Sequence, residues 1–234
     1  MNKIRLIITL FSALVLGFNA KSQDVNVLIT KVKNNIDRVN DYVATARMVT
    51  NVSFLKVPDA DVSVYFKKPN KLKIKNEKGI SFVPKGAVSI NLNNILSGSK
   101  YTAIDAGTDK INNTTVRVIK LLPVDDNADV VLSTVYIDEA NLVIRRAKTT
   151  TRTSGSYQLE MNYGKYAPYG LPDKIVFSFD TKDYKLPKGI TFDFDDGTQN
   201  RKTAAEKAQN RNGKAEITFS NYSINKGVSD ESFK

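Results

Sequence analysis

The 234-residue chain contains no cysteine and no histidine. Without cysteine it forms no disulfide, no thiolate metal site and no cysteine nucleophile. Without histidine it has no Ser-His-Asp triad, none of the usual zinc sites and no imidazole to act as a general base near neutral pH. The composition therefore argues against these hydrolytic and zinc-dependent classes of enzyme.

The remaining candidates for catalysis or metal binding are weak. Asp193, Asp195 and Asp196 precede Gly197, but that glycine comes too early for a calcium loop and no glutamate follows at the closing position. A hairpin turn explains these carboxylates better. The serines of residues 154–156 lack a partner base. We therefore expect no enzymatic activity, no metal and no cofactor.

Residues 1–22 have the three parts of an export signal. Lys3 and Arg5 supply a positive start, residues 6–18 form an apolar run, and residues 20–22 form a small-x-small cleavage site. A retained anchoring helix is the alternative, but the apolar run is short for a membrane span. We expect the signal to be removed, leaving a monomer that is free in the periplasm and has no transmembrane segment.

The charge balance indicates what such an exported protein binds. Lysine and arginine total 35 against 24 aspartates and glutamates, a net charge of +11. This surplus favours lipid headgroups or acidic protein surfaces as partners. We expect no nucleic acid partner, because no recognised binding motif is present and an exported protein rarely meets nucleic acid. A basic surface that only aids solubility is the alternative.

The hydrophobic pattern predicts one long helix followed by many strands. Apolar residues recur at steps of three and four from Asp24, the expected N-cap, to Val43. A short internal helix is predicted at residues 91–98, and residues 197–214 form a polar insertion loop without apolar period. Two-residue alternation predicts strands at 44–55, 62–67, 71–75, 80–83, 101–104, 114–122, 130–137, 142–150, 157–163, 175–179, 190–194 and 215–222.

These elements predict a mainly β, single domain over residues 23–234. A large antiparallel sheet with one apolar face must curl, close or be covered, and two helices cannot cover it tightly. We expect a strongly curved, incomplete β-barrel, with the N-terminal helix and the short internal helix acting as a lid over a cavity. A sandwich in which the sheet covers itself is the alternative that periodicity alone leaves open.

The stretch at residues 62–74 predicts a hairpin with one apolar and one cationic face. Apolar and polar residues alternate up to Phe66, the chain turns at Pro69, and the alternation resumes between lysines. Continuing the alternation past Phe66 places Lys68 on the apolar side, at the rim. We predict that inward-facing residues line a ligand cavity, although each also fits a plain core position: Val62, Val64, Phe66, Leu72, Ile74, Phe82, Tyr157, Leu159, Met161, Phe177 and Phe179.

The order and spacing of several motifs resemble the LolA-like outer-membrane lipoprotein carrier superfamily of the bacterial periplasm. The motifs follow an N-terminal helix that leads into a long strand. They are the hairpin at 65–72, YFKKPNKL; YID at 136–138 with LVIR at 142–145; GSYQL at 155–159; and YSINKGV at 222–228 with Phe233. The resemblance covers the whole chain after the signal, apart from the polar insertion at 197–214.

This resemblance implies an unclosed barrel whose helical lid covers a hydrophobic cavity. Proteins of the family carry the acyl chains of lipoproteins across the periplasm, so an acylated lipoprotein or lipid and envelope donor and acceptor proteins are the expected partners. The position before the hairpin proline, which helps to gate the lid, is Lys68 in this chain. Lysine keeps the charge of arginine but not its planar fork. A sensor or protein-binding module on the same scaffold is the alternative function.

Overall fold

The computed structural model describes residues 19–52, 55–56, 58–69, 71–76, 100–153, 155–180 and 212–233. Several predicted features lie outside these residues: the strands at 80–83 and 190–194, the short helix at 91–98, Phe82, and residues 197–211 of the polar insertion. Residues 212–214, which the sequence places in that insertion, belong instead to the last strand.

Among the described residues one α-helix precedes the strands, and its bounds differ from those predicted. Helix α1 spans Asn19–Ile36. It begins before Asp24, through the predicted cleavage site, because Ala20, Lys21 and Gln23 favour helix. It ends well before Val43, so that prediction is wrong at both ends. None of the helices in the described ranges is long and apolar enough to cross a membrane.

The described strands follow α1 in chain order, with two short 3-10 helices among them. The strands are β1 Asp41–Val52, β2 Leu55–Lys56, β3 Ala60–Lys67, β4 Lys71–Asn76, β5 Tyr101–Ile111, β6 Thr114–Pro123, β7 Val130–Asp138, β8 Val143–Thr151, β9 Ser156–Asn162, β10 Lys174–Asp180 and β11 Asn212–Ile224. The 3-10 helices are Ala167–Tyr169, between β9 and β10, and Asp230–Phe233, after β11.

The strands form one open antiparallel sheet. Its order is β4-β3-β1-β11-β10-β9-β8-β7-β6-β5, and the short β2 pairs with β1 off this path. Within the part of the chain that is described, β4 and β5 are the edges and do not pair with each other. The architecture is thus a mainly β, open, curved half-barrel, as predicted, and the sandwich alternative is wrong.

Helix α1 lies on one face of this sheet, which we call the inner face. Val25, Leu28, Ile29 and Val32 form its apolar stripe at helical spacing and are all buried. With buried residues of β6 to β11 they form the first cluster: Ile119, Leu121, Val135, Ile137, Ile144, Ala147, Leu159, Met161, Phe177, Phe179 and Ala215.

A second group of buried side chains occupies the other part of the inner face, towards β4. This second cluster comprises Val39, Ala44, Ala46, Met48, Val62, Val64, Phe66, Leu171, Ile217 and Tyr222. Val39 fits the helical spacing of α1, which is why the sequence pattern extends the helix too far. In the structure it follows the helix and packs on the strands instead.

Candidate functional site

The inner face is largely apolar from β4 to β6, whereas on the edge strand β5 the residue opposite Ile119 is Asp105. Residues that oppose each other in neighbouring antiparallel strands point to the same face. One row runs Ile74–Val64–Ala44 across β4, β3 and β1. A second row runs Ala215–Phe177–Leu159–Ala147–Val135–Ile119 across β11, β10, β9, β8, β7 and β6. A long apolar ligand therefore meets mainly hydrocarbon along each of these two rows.

Every predicted cavity residue that the structure describes lies on the inner face. Leu159, Met161, Phe177 and Phe179 belong to the first cluster and Tyr157 packs against it; Val62, Val64 and Phe66 belong to the second cluster and Leu72 and Ile74 pack against it. Phe82 lies outside the described residues. The prediction located one shared surface but did not divide it between two clusters.

The two clusters differ in what covers them. The first is covered by α1, and Leu159 and Met161 are at most 2% exposed. Among the described residues, the second cluster contains no residue of α1 and is joined by Tyr166 and Leu171 from the segment between β9 and β10. Leu72 and Ile74 on the edge strand β4 are only half-buried. The inner face is thus more accessible near β4 than beneath the helix.

A small polar spot interrupts the apolar inner face. Ser133 and Thr149 oppose each other on β7 and β8, are buried, and hydrogen-bond through their hydroxyls at 3.0 Å. Tyr157, on β9, opposes Thr149. Burial raises the pKa of the Tyr157 phenol, and this effect outweighs a hydrogen bond with Thr149, which lowers the pKa. The sequence pattern did not reveal this polar pair, although Ser133 and Thr149 both stand at inward positions of strands with two-residue alternation.

Lys68 joins the hairpin to the end of α1. Its Nζ donates to the main-chain carbonyl of Asp37, lies 3.9 Å from the Asp37 carboxylate, and donates to Asn40 Oδ1 at 3.4 Å. Its backbone N–H also donates to the Asn40 carbonyl at 2.9 Å. A cation near the last carbonyls of a helix is favoured by the helix dipole. Lys68 therefore holds the C-terminal end of α1 against the rim of the sheet.

Further contacts hold the same end of the helix. Asn35 Nδ2 donates to the Leu142 carbonyl at 3.3 Å, and Arg38 donates to the Pro168 carbonyl at 3.1 Å. Gly170 has φ +65 and approaches so closely that a Cβ there would lie 3.2 Å from Ile36 Cγ1. The C-terminal end of α1 is thus held from two parts of the chain besides Lys68: the turn between β7 and β8, and the segment between β9 and β10.

A cleft of about 420 Å³ lies at the end of β6, β7 and β8, and Arg117 and Arg145 are among its lining residues. Asp138 is buried there and accepts hydrogen bonds from Arg145 Nη2 at 2.8 Å and from Asn141 N at 3.1 Å. Burial raises the pKa of Asp138, but the hydrogen bonds from Asn141 and Arg145 outweigh it and hold the pKa below its usual value. This explains the YID and LVIR motifs structurally, since they close the turn between β7 and β8.

The described residues contain no group of three or more acidic side chains that could hold a metal ion. Carboxylates are instead paired with arginine or lysine. Asp105, for example, pairs with Arg117, and their closest contact is 2.6 Å.

A single open antiparallel sheet, with an amphipathic helix lying across its apolar face, defines the class as a half-barrel with a helical lid. The sequence matches no protein-family model and no curated protein. Solved structures nevertheless share the fold. The outer membrane lipoprotein-sorting protein domain from Vibrio parahaemolyticus aligns with a TM-score of 0.56 at 13% identity, over 91% of this chain and 97% of that one.

Two further structures support the same fold. A LolA superfamily protein from Nitrosomonas europaea aligns with a TM-score of 0.51 at 8% identity, over 90% of this chain and 97% of that one. A DUF1329 family protein from Desulfovibrio piger aligns with a TM-score of 0.54 at 12% identity, over 90% of this chain and 97% of that one. The chain therefore has the LolA-like fold that its motifs resemble.

Proposed function

We propose that this protein is a periplasmic carrier that shields the acyl chains of lipoproteins, or of another lipid, and delivers them toward the outer membrane. The observation that supports it most is that the inner face is largely apolar from β4 to β6, while α1 covers only part of it. The proposal involves no catalysis. The fold shared with a lipoprotein-sorting protein domain agrees with it.

The energetics of an acyl chain explain why such a surface is required. Each CH₂ group taken out of water contributes roughly 0.8 kcal/mol, so a long acyl chain gains on the order of 10 kcal/mol by lying on the inner face. The half-buried Leu72 and Ile74 give the chain a first contact near β4. Movement of α1 then exposes the first cluster, and the Lys68 contacts with Asp37 limit that movement.

The close packing of the first cluster supports a second candidate, a sensor or protein-binding module of the envelope. Val32, Ile119 and Leu159 are fully buried, so this part of the inner face is filled by the chain's own side chains. In a sensor the helix stays in place, and a partner binds elsewhere on the surface. The two candidates differ in whether the inner face takes up an acyl chain.

Displacement of a fluorescent fatty acid distinguishes the carrier from the sensor or protein-binding module. We expect the protein to bind the probe and a fatty acid to displace it. The Ile74→Asn variant changes a half-buried inner-face residue and should weaken binding about tenfold. Val131→Asn is the matched control, because Val131 is 43% exposed and should leave affinity unchanged. Absence of probe binding by the folded wild-type protein would exclude the carrier and leave the module.

A further inference from the structure

The outer face of the β3–β4 hairpin concentrates lysines. Across this pair, Lys67 opposes Lys71, Tyr65 opposes Lys73, and Ser63 opposes Lys75, all on the face away from the second cluster. Every outward position of β4 from residue 71 to residue 75 is therefore a lysine. We call Lys67, Lys71, Lys73 and Lys75 the lysine face.

Aromatic rings lie among these ammonium groups. Lys75 Nζ is 5.3 Å from the centre of the Tyr65 ring, and Lys71 Nζ is 5.9 Å from the centre of the Phe233 ring. Phe233 reaches this position because the C-terminal 3-10 helix, Asp230–Phe233, contacts β4. Lysines next to aromatic rings suit the headgroup level of a membrane, where both side-chain types are favoured.

One carboxylate is shared by two of the lysines. Asp230 Oδ1 lies 2.8 Å from Lys67 Nζ and 3.1 Å from Lys71 Nζ. Two ammonium groups thus face a single carboxylate, which leaves this contact with a net positive charge. Asp230 is 61% exposed on its side chain, so an external anion has access to the same two lysines.

We propose that the lysine face docks the protein on a membrane surface rich in anionic lipid headgroups, and that Asp230 competes with those headgroups for Lys67 and Lys71. A lipid surface fits better than a protein partner, because lysine occupies every outward position of β4 and is depleted in protein interfaces. Juxtamembrane lysines are in contrast the residues that anionic leaflets attract. The inference concerns the outer face and goes beyond the proposed binding of acyl chains on the inner face.

Vesicle co-sedimentation tests the docking. The wild-type protein should bind vesicles of equal parts phosphatidylglycerol and phosphatidylcholine, and should not bind vesicles of phosphatidylcholine alone. Binding should fall steeply between roughly 0.1 M and roughly 1 M salt, since screening shortens the reach of charges. Equal binding to both vesicle types, or to neither, would overturn the proposal.

Two triple variants separate the lysine face from overall charge. Lys71→Gln, Lys73→Gln and Lys75→Gln together should weaken binding about a hundredfold, or about fivefold for each lysine. The control changes Lys110→Gln, Lys120→Gln and Lys148→Gln, which are exposed on other strands and alter net charge equally. Equal loss in both triple variants would show a general charge effect and overturn the proposal.

A gain of binding tests the role of Asp230. Asp230→Asn removes the competing carboxylate and should strengthen binding to anionic vesicles about fivefold without any binding to phosphatidylcholine vesicles, whereas apolar surface exposed by misfolding would bind both. Unchanged or weaker binding by the folded variant would contradict the competition. Fatty-acid displacement measured on the same variants without vesicles should be unaffected, so failure of the carrier function is distinguishable from failure of the docking.

Discussion

Lys68 connects two parts of the molecule through one side chain: the β3–β4 hairpin and the loop that leads from the end of α1 into β1. Its position could be predicted, because continued alternation past Phe66 places it at the apolar rim. Its partners, Asp37 and Asn40, could not be predicted, because they depend on where α1 ends. Whether these contacts gate the helix is part of the proposed function.

Replacing Lys68 by glutamine should loosen the end of α1. Loss of a charge-assisted hydrogen bond at a side chain that is 30% exposed should lower the free energy of unfolding by about 1 kcal/mol. Amide hydrogen exchange in α1 should also become faster. The matched control is Lys67→Gln, which should cost less, because its partner Asp230 is exposed and solvent screens the pair. Equal losses of unfolding free energy for the two substitutions, measured by urea unfolding, would contradict the role of Lys68 in holding the end of α1.

Asp138 is a residue that the sequence motif included without revealing its role. Its carboxylate is 2% exposed and is held by Arg145 and Asn141, so it contributes stability only while it is ionised. Because these contacts lower its pKa below the ordinary 3.8, the unfolded chain takes up the proton first as the pH falls. The stabilisation is therefore complete well above pH 3.8 and is lost as the pH falls through the native pKa.

The variant Asp138→Asn should cost about 2 kcal/mol at neutral pH. The difference in unfolding free energy from wild type should begin to shrink as the pH falls below about 4, because the unfolded chain then takes up the proton, and should reach its minimum below the native pKa, where both side chains are neutral. Urea unfolding at a series of pH values measures this. A difference that stays constant down to low pH would show that the charge of Asp138 does not contribute.

The strands were the elements that the sequence predicted best. Two-residue alternation located every described strand longer than β2, with ends that differ by a few residues in most cases. β5 is the exception, since it extends to Ile111 and alternation predicts only its first residues. The pattern misses the rest of β5, because that half is an exposed edge without apolar alternation. The predicted bounds of α1 are wrong. At the C-terminal end the reason is that apolar residues keep the helical spacing through Val39, after the last turn of the helix has ended.

The hydrophobic pattern of the sequence could not predict contacts between elements that are far apart in the chain. Gly213 on β11 opposes Phe179 on β10, and a Cβ at Gly213 would lie 2.3 Å from the Phe179 ring. The ring occupies the space that the missing side chain leaves. No local signal reveals such a pairing, since it depends on strands joined through residues 181–211, between β10 and β11.

Filling that space should strain the pair of strands. Gly213→Ala should lower the free energy of unfolding by about 1 to 3 kcal/mol, because the ring must move. Adding Phe179→Leu should recover part of the loss, which gives a favourable coupling in a double-mutant cycle. Strictly additive effects in urea unfolding would show that the ring does not occupy the site of the missing Cβ.

The order of the sheet places the first and last described strands side by side. β1 and β11 pair as the third and fourth strands counted from the β4 edge, so the half-barrel forms only when distant parts of the chain meet. The sequence predicted an open, curved sheet with an apolar inner face. It did not predict that α1 would cover one cluster and leave the second to a loop, because that division depends on these long-range pairings.

Native mass spectrometry of residues 23–234, purified without detergent and followed by organic extraction, is the most direct test of the carrier function. We expect a bound acylated lipid or lipopeptide, and we expect the Ile74→Asn variant to hold less of it than Val131→Asn. An unliganded mass that stays unshifted after incubation with an acylated peptide would contradict the carrier function and favour the protein-binding module.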